Sequence, residues 1–236
     1  LIQDDVSPVS EIGTVHYFTV DASLVTETDY EKKTIQSALN AAEDFDIIEV
    51  LPGTYNEDIR LNDRVFLFGR DYARATIIDG TNRSDSVIDF YSEGVIDGFT
   101  IQNGGSTNNI SNGAGMYVSA GSSATDLRVL GCLFVNNSAT VRGGAIYVSS
   151  GDIAFVSCSL IDNQAPEGAA IYSGSNNNDI RLINSLLWND EPTNGEEIEG
   201  NINGVVYQST LHRDPATGNV FIDSADKSTI NPGITP

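Results

Sequence analysis

Arg142 is the basic residue best placed to act as a general base in the central part of this chain. Proton abstraction beside a sugar carboxylate needs such a base with a lowered pKa, and a cation to neutralise the carboxylate. Asn112 and Glu167 precede phrases similar to the one after Arg142. An Arg142–Glu167 ion pair is therefore the competing interpretation, and the one we favour. The lysines lie outside the central stretch, at Lys32, Lys33 and Lys227.

Aspartates offer a second chemistry, because paired carboxylates on one outward face can hydrolyse a glycosidic bond. The candidates are Asp79, Asp89, Asp97 and Asp162. Their spacing places them on different sides of the chain, which argues against a pair. Asp89, Asp97 or Asp162 could also contribute oxygen ligands to a Ca²⁺ site, although the sequence has no calcium-loop spacing. No cofactor is firmly implied.

A row of tyrosines is the most informative candidate binding surface. Tyr117, Tyr147 and Tyr172 occupy equivalent places in three similar phrases, with Tyr207 expected next and Asp89 before them. By strand alternation they share one outward face. Such a row could bind sugar rings or another protein, since each ring is apolar and each hydroxyl polar. Burial under a flanking loop is the equally plausible alternative. Trp188 could extend an aromatic surface on another side.

These residues belong to two recurring phrases that share a period of about 25 to 30 residues, which is typical of a solenoid. The first phrase ends in asparagine and occurs at residues 98–103, 132–137, 158–163 and 184–189. The second carries the tyrosines and occurs at residues 113–118, 143–148 and 168–173. Each is a short run of aliphatic residues bounded by Gly, Asn or Ser, which predicts strands.

If the repeats stack as neighbouring strands, equivalent residues lie about 4.8 Å apart and form rows along the stack. Ile146 and Ile171 then point inward with Met116. The terminal asparagines form a structural ladder at a turn, with amide hydrogen bonds between coils. The predicted ladder residues are Asn103, Asn137, Asn163 and Asn189. Cys132 and Cys158 also align, and we predict free thiols stacked in the core.

The motifs Gly-Gly-Ala-Ile at residues 143–146 and Phe-x-x-Asn at 134–137 resemble the paired motifs of polymorphic outer-membrane protein repeats, found in bacterial surface adhesins. The wider pattern resembles the pectin-lyase-like superfamily of right-handed parallel β-helices. The resemblance implies an all-β, single-stranded right-handed helix of about seven coils. Some members of that superfamily are pectate or alginate lyases, and others are polygalacturonase-type hydrolases. The motifs specify architecture and not activity.

The amino-acid composition limits the classes of binding partner that we expect for this chain. The 236 residues include 33 acidic and 12 basic side chains, for a net charge of −21 and a pI near 4.1. A surface this acidic repels nucleic acid and anionic membranes, so we expect neither nucleic-acid binding nor membrane insertion. No apolar run is long enough to span a bilayer. The chain lacks a signal sequence at Leu1, and we interpret it as a processed or excised segment of a secreted or cell-surface protein.

We expect one β-helix domain over residues 1–236. It comprises a leading segment 1–30, a capping helix 34–42, coils over 46–223 and a tail 224–236. Apolar residues at Ile35, Ala38, Leu39 and Ala42 define the buried stripe of the helix, and Thr34 is its N-cap. The helix is expected to cover the open end of the first coil. Residues 191–199 are predicted to form a solvated charged loop, and a last coil is expected to follow it.

The sequence favours a non-catalytic extracellular module, structural or adhesive, that associates with itself as a filament or sheath, with other cell-surface proteins, or with polysaccharide. The alternative is a lyase or hydrolase acting on an acidic glycan, with Arg142 as base.

Overall fold

The computed structural model describes residues 14–106, 109–121, 127–189, 196–201, 205–208, 210–213 and 220–223. The predicted tail, Lys227 and the start of the leading segment lie outside this part of the chain. The described residues form a right-handed stack of parallel β coils with one short helix at its N-terminal end.

The N-terminal elements close the first coil. They are β1 (Tyr17–Val20), β2 (Glu31–Lys32) and α1 (Ile35–Ala41). Strand β1 lies between β2 and the first coil strand, β3 (Ile47–Val50), and is parallel to both. The four predicted apolar residues of the helix are buried, and the Thr34 hydroxyl accepts a hydrogen bond from the Ser37 backbone N at 3.1 Å. The predicted capping helix and its N-cap are therefore confirmed.

Each coil contributes one strand to each of three sheets. The first three coils are β3 with β4 (Gly53–Tyr55) and β5 (Ile59–Leu61); β6 (Phe66–Gly69), β7 (Thr76–Asp79) and β8 (Ile88–Phe90); and β9 (Gly94–Asp97), β10 (Thr100–Gln102) and β11 (Met116–Ser119). The next three are β12 (Leu127–Leu130), β13 (Leu133–Val135) and β14 (Ile146–Ser150); β15 (Ile153–Val156), β16 (Ser159–Ile161) and β17 (Ile171–Ser173); and β18 (Ile180–Ile183), β19 (Leu186–Trp188) and β20 (Ile198–Gly200).

Two strands of a seventh coil follow, β21 (Val205–Gln208) and β22 (Thr210–Arg213), and β23 (Val220–Asp223) adds to β22 in the antiparallel direction. We name the three sheets A, B and C, after the first, second and third strand of each coil. Six described coils with a partial seventh agree with the predicted number.

The core consists of inward rows, one residue per coil. In sheet C, Met116 aligns with Ile146, and Ile146 with Ile171, and all three are fully buried as predicted. The corresponding row of sheet A contains the fully buried pair Phe155 and Leu182. Burying aliphatic and aromatic side chains in every coil supplies the main stabilisation of the fold, at about 25 cal/mol per Å² of apolar surface.

The corners of the coils require backbone conformations that favour particular residues. Gly143, the first glycine of the Gly-Gly-Ala-Ile phrase, has φ +61°, and a Cβ on Gly144 would lie 2.5 Å from the carbonyl oxygen of Ala169. The first position therefore needs glycine for its dihedral and the second for space. This explains why the motif marks the entrance to sheet C.

The asparagine ladder is confirmed for three residues and wrong for the fourth. The Asn137 amide donates to Asn163 Oδ1 at 3.0 Å, and the Asn163 amide donates to Asn189 Oδ1 at 3.1 Å. Asn103 instead lies one residue earlier in register, since its neighbour Gln102 pairs with Val135. With φ +60°, Asn103 forms the corner, and its side chain donates to Asp79.

The ladder has different groups at its two ends. At the start, the backbone N of Gly104 donates to Asn137 Oδ1 at 2.9 Å. At the other end, the Asn189 amide donates to the Glu197 carboxylate at 2.6 Å, and Glu197 is 5% exposed. The prediction of a solvated loop over 191–199 is therefore wrong for its last residues, which enter the core through Ile198. Residues 191–195 lie outside the described part.

Cys132 and Cys158 are buried free cysteines in adjacent coils, as predicted. The Phe99 backbone N donates to Cys132 Sγ, and the Cys158 thiol donates to the Val129 carbonyl. Burial raises the pKa of both thiols, that of Cys158 to about 12. Both thiols are therefore protonated at neutral pH and act as apolar core groups.

Candidate functional site

The outer face of sheet C carries one outward side chain per coil in a continuous row. Each member follows a buried inward residue on its strand, so by alternation its side chain points away from the core; Asp89 alone among them is buried. Backbone register aligns them in the order Arg60, Asp89, Tyr117, Tyr147, Tyr172 and Glu199. We call this set the sheet C row. It begins with charged residues beside the capping helix and continues as aromatic residues over three coils.

Tyr147 lies between two parallel rings in this row. Its ring centroid is 5.4 Å from that of Tyr117, at an interplanar angle of 12°, and 5.6 Å from that of Tyr172, at 4°. Burial raises the pKa of Tyr147. The predicted alignment of these three tyrosines is confirmed. Because stacked rings cover one another's faces, however, a ligand would meet mainly ring edges, not an open platform for sugar rings.

Two glycines leave room for the tyrosine rings. A Cβ on Gly174 would lie 2.7 Å from the Tyr147 hydroxyl, and a Cβ on Gly200 would lie 2.9 Å from Cε1 of Tyr172. Each glycine belongs to the coil after its tyrosine, so the rings lean across the next strand. The half-buried state of the tyrosines follows from this packing against the sheet itself.

Tyr207 is not part of the sheet C row, and its prediction is wrong. Its backbone pairs with Leu182 in sheet A, whereas Glu199 takes the place next to Tyr172. The row therefore ends in a carboxylate within the described residues. The sequence indicates the place of Glu199, because Ile198 follows Ile171 at the usual spacing between coils. If Ile198 takes the inward position of Ile171, then Glu199 must lie next to Tyr172.

Arg142 stands at the corner before sheet C, where its backbone pairs with Asn112 of the preceding coil and with Glu167 of the following coil. Arg142 Nε lies 2.7 Å from Glu167 Oε2, and the guanidinium carbon is 4.9 Å from the Tyr172 ring centroid. The hydrogen bond to Glu167 raises the pKa of Arg142. A base needs a lowered pKa, so this contact opposes the lyase role and agrees with the ion-pair interpretation.

The charged end of the row forms a cleft against the capping helix. Arg60 donates to the Asp89 carboxylate at 3.1 Å and lies 3.6 Å from the Asp85 carboxylate. Asp89 is only 5% exposed, whereas the Asp85 side chain is 61% exposed. Burial raises the pKa of Asp89. The hydrogen bond from Arg60 offsets part of the cost of burying the Asp89 carboxylate at the edge of the core.

This cleft has a volume of about 400 Å³. Its polar lining residues are Gln36, Asn40, Asp58, Arg60, Asn62, Asp85 and Asp89. A smaller space of about 210 Å³ shares Arg60, Asp85 and Asp89 with it and also includes Tyr91, Asn112 and Tyr117. We call the two spaces together the acidic cleft. Sequence reasoning missed Arg60 and Asp85, although the match between residues 59–61 and 88–90 could have revealed the first.

The candidate metal ligands do not share a site. Asp89 belongs to sheet C and Asp97 to sheet A, while Asp162 forms a corner with φ +54°. Among the described residues, no group of three His, Cys, Asp or Glu side chains is arranged to hold a metal ion. The described residues also contain no helix with the length and hydropathy of a membrane span.

Residues 131–149 match the Chlamydia polymorphic membrane protein repeat. This segment contains both predicted motifs, Phe-x-x-Asn and Gly-Gly-Ala-Ile. No curated protein matches the chain significantly.

Among solved structures, the chain is similar to pectin methylesterase PemA from Erwinia chrysanthemi, at 14% identity and TM-score 0.53 over 92% of this chain and 87% of the other. It also matches pectin methylesterases from Aspergillus niger (15% identity, 84% and 77% covered, TM-score 0.49) and carrot (17%, 83% and 62%, 0.43). At these identities the likeness is one of fold. This chain therefore has a right-handed parallel β-helix fold similar to that of pectin methylesterase PemA, and residues 131–149 within it match the polymorphic membrane protein repeat.

Proposed function

We propose that this chain is a non-catalytic glycan-binding module of a secreted or cell-surface protein, and that the sheet C row is its binding face. The observation that carries the proposal is the continuity of that row, which offers Tyr117, Tyr147 and Tyr172 in successive coils. Coils repeat at about 4.8 Å, which is close to the length of one sugar residue in an extended chain. A polysaccharide lying along the helix axis would thus meet an equivalent group at each coil.

Binding without turnover is supported by the state of the candidate base. Arg142 is engaged by both Glu167 and Tyr172, and its pKa is raised. The repeat at residues 131–149 supports a surface location, because the family it matches is named for membrane proteins. The stacked rings would contribute through their edges and hydroxyls, with hydrogen bonds to sugar hydroxyls as the main contacts.

Binding to oligosaccharide arrays, followed by calorimetry with the best ligand, tests the proposal. Tyr147→Ala removes the central ring and should weaken binding by about tenfold or more, as expected for an aromatic side chain at the centre of an interface. The matched control is Tyr72→Ala, because Tyr72 is 76% exposed at a corner between sheets A and B. Equal affinity in all three proteins, or no glycan binding at all, would refute the proposal.

The rival function, a lyase or hydrolase acting on an acidic glycan, is tested in parallel. The protein is incubated with pectate and with alginate, and unsaturated products and new reducing ends are measured. We expect neither. Turnover that disappears in Arg142→Ala would establish the lyase instead.

A further inference from the structure

We infer that the outer face of sheet A is an interface for a second copy of this chain, which packs against the same face to form a two-fold symmetric dimer. This face lies on a different side of the coils from the sheet C row, so the inference is independent of the proposed glycan binding. It assigns a role to Asp97, Arg128 and Val156, which do not belong to the sheet C row.

The outer face of sheet A is apolar over most of its length. Outward residues alternate with buried ones along each strand, and the backbone register aligns them in two rows that run from coil to coil. From β6 to β18 these rows contain seven apolar side chains that are partly or largely exposed. They are Phe66, Phe68, Val95, Leu130, Ala154, Val156 and Ile183. A contiguous apolar patch on a protein surface marks an interaction site.

Asp97 is the one carboxylate in these two rows between β6 and β18, and it lies among apolar neighbours. It aligns with Phe68 in the preceding coil and with Leu130 in the following coil. Burial raises the pKa of Asp97, and no hydrogen bond or ion pair from the described residues opposes this shift. A half-buried carboxylate in such a setting is unfavourable unless a cation reaches it from outside the coil.

A groove lies beside this carboxylate, in the other row of the face. Arg128 and Arg181 are exposed there, on β12 and β18, and the short side chain of Ala154 lies between them. The space above Ala154 has a volume of about 560 Å³ and is lined by both arginines. An aliphatic side chain from outside fits this groove, because the apolar stems of the arginines can cover it.

A second copy supplies both the cation and the aliphatic side chain. A two-fold axis that is parallel to the helix axis and lies between the two rows places each row over the other row of the partner, coil by coil. Val156 then lies over Ala154 of the partner subunit, in the groove. Asp97 lies one coil, or about 4.8 Å along the stack, from the partner's Arg128, which a guanidinium can span.

Charge supports this arrangement. Each chain carries a net charge of −21, so two copies repel unless arginines of one meet carboxylates of the other. The dimer contains the Asp97–Arg128 pair twice, once in each direction, because the interface is symmetric. A two-fold axis along the strands through β12 would instead place Arg128 against the partner's Arg128, which repulsion between like charges opposes.

The size of the face sets the expected affinity. The five coils from β6 to β18 span roughly 25 Å at about 4.8 Å each, and four residues of strand span roughly 13 Å. An interface of these dimensions is at the small end of the range for protein complexes, where association is weak. We therefore expect a dissociation constant on the order of 50 µM.

Sedimentation velocity tests the dimer at protein concentrations from about 1 to 300 µM and at about 150 mM salt, which screens part of the repulsion. The mass should rise with concentration from 25.2 kDa towards twice that value. Val156→Lys should weaken association by about tenfold or more, because it places a charge in the apolar groove. It also lowers the net negative charge, so general repulsion cannot explain the loss. The matched control is Val135→Lys, at a half-buried outward valine of sheet B.

Charge reversal locates the ion pair. Asp97→Arg alone and Arg128→Asp alone each place like charges together twice in the dimer, and each should weaken association by about tenfold. An equimolar mixture of the two variants restores opposite charges at both pairs in a mixed dimer. The mixture should therefore associate more tightly than either variant alone, a gain that misfolded protein could not give. Circular dichroism verifies the fold of each variant.

The outcomes are decisive for the inference. A chain that stays monomeric up to about 300 µM would overturn it and leave the sheet A face to a different protein. Association that Val135→Lys weakens as much as Val156→Lys would place the interface elsewhere, and a mixture no tighter than its components would refute the symmetric pairing. Glycan binding should be equal in Val156→Lys and the parent, so either proposal can fail without the other.

Discussion

Asn163 shows how a single side chain joins three coils. Its oxygen accepts from the backbone N and the side-chain amide of Asn137, and its amide donates to Asn189 and to the Phe134 carbonyl. The residue is fully buried. At each corner the chain leaves one sheet for the next, so its backbone groups need partners that the sheets do not supply. The asparagine provides them in every coil where the ladder continues.

Asn163→Ala should therefore lower the free energy of unfolding by about 2 to 4 kcal/mol, because buried donors and acceptors lose their partners. Urea unfolding followed by tryptophan fluorescence and circular dichroism measures the change. Asn176→Ala, at an exposed position, is the control and should change stability by less than about 0.5 kcal/mol. Equal stability of the two variants would contradict a structural role for the ladder.

Among the single elements, helix α1 depends most on hydrogen bonds to its own N-terminus and on packing against its neighbours. It has seven residues, too few to be stable alone, so it relies on its cap and on its packing over the first coil. The carboxylate of Glu57 accepts hydrogen bonds from the backbone N of Ile35 and of Gln36, both at 3.0 Å. Together with the Thr34 hydroxyl, this satisfies three of the free donors at the helix start.

Thr34→Ala removes one of these acceptors and should destabilise the protein by about 1 kcal/mol, the usual value for loss of an N-cap. Thermal unfolding monitored by circular dichroism gives the comparison with Thr26→Ala, which alters an exposed threonine of the preceding loop. Identical melting temperatures for the two variants would mean that Glu57 and the apolar contacts hold the helix without its cap.

The sequence predicted the strands and their inward faces well, since the apolar phrases recur in nearly every coil. It was less successful where phrases were aligned on residue type instead of on their inward apolar positions. Asn103 was aligned with Asn137 because each is the last asparagine of its phrase, whereas Asn103 corresponds to Asn136, which also has a positive φ, and Gly104 takes the place of Asn137. Tyr207 is misplaced by a whole sheet, because a search for the next tyrosine passed over Glu199. Similar residue type is a weaker guide to register than the inward aliphatic row.

The acidic cleft was beyond the reach of sequence reasoning for a related reason. Asp85 lies four residues before Asp89, outside the strand, and its position depends on the path of the corner before β8. Arg60 is separated from Asp89 by 29 residues and becomes its neighbour only through the stacking of β5 on β8. Side chains outside the repeated phrases carry no periodic signal, so their convergence has to be read from the structure.

At the scale of the whole molecule, titration of the carboxylates should set the pH of greatest stability. Burial raises the pKa of Asp97, so the stability it contributes is complete below its unfolded pKa and is lost as pH rises through its folded pKa. The Arg70 guanidinium instead lowers the pKa of Glu49, whose contribution is complete above its unfolded pKa and is lost as pH falls through its folded pKa. Repulsion among the 33 acidic groups adds to the loss at high pH.

These opposed contributions predict a maximum of stability near pH 5, just above the ordinary carboxyl pKa of about 4. The melting temperature should be about 2 to 4 °C higher at pH 5 than at pH 7.5 in low salt, equivalent to about 1 kcal/mol for a chain of this size. Added salt should reduce the difference, because it screens the repulsive part.

Asp97→Asn separates the effect of burying the Asp97 carboxylate from the effect of repulsion among the acidic groups. The neutral amide no longer suffers the desolvation cost of a charge, so the variant should melt at a higher temperature than the parent at pH 7.5 and equally at pH 4. Asp162→Asn removes the same charge from an exposed corner, where asparagine accepts the positive φ, and reports the repulsion alone. An equal gain in both variants at pH 7.5 would assign the pH dependence to net charge, and no gain in either would refute the titration argument.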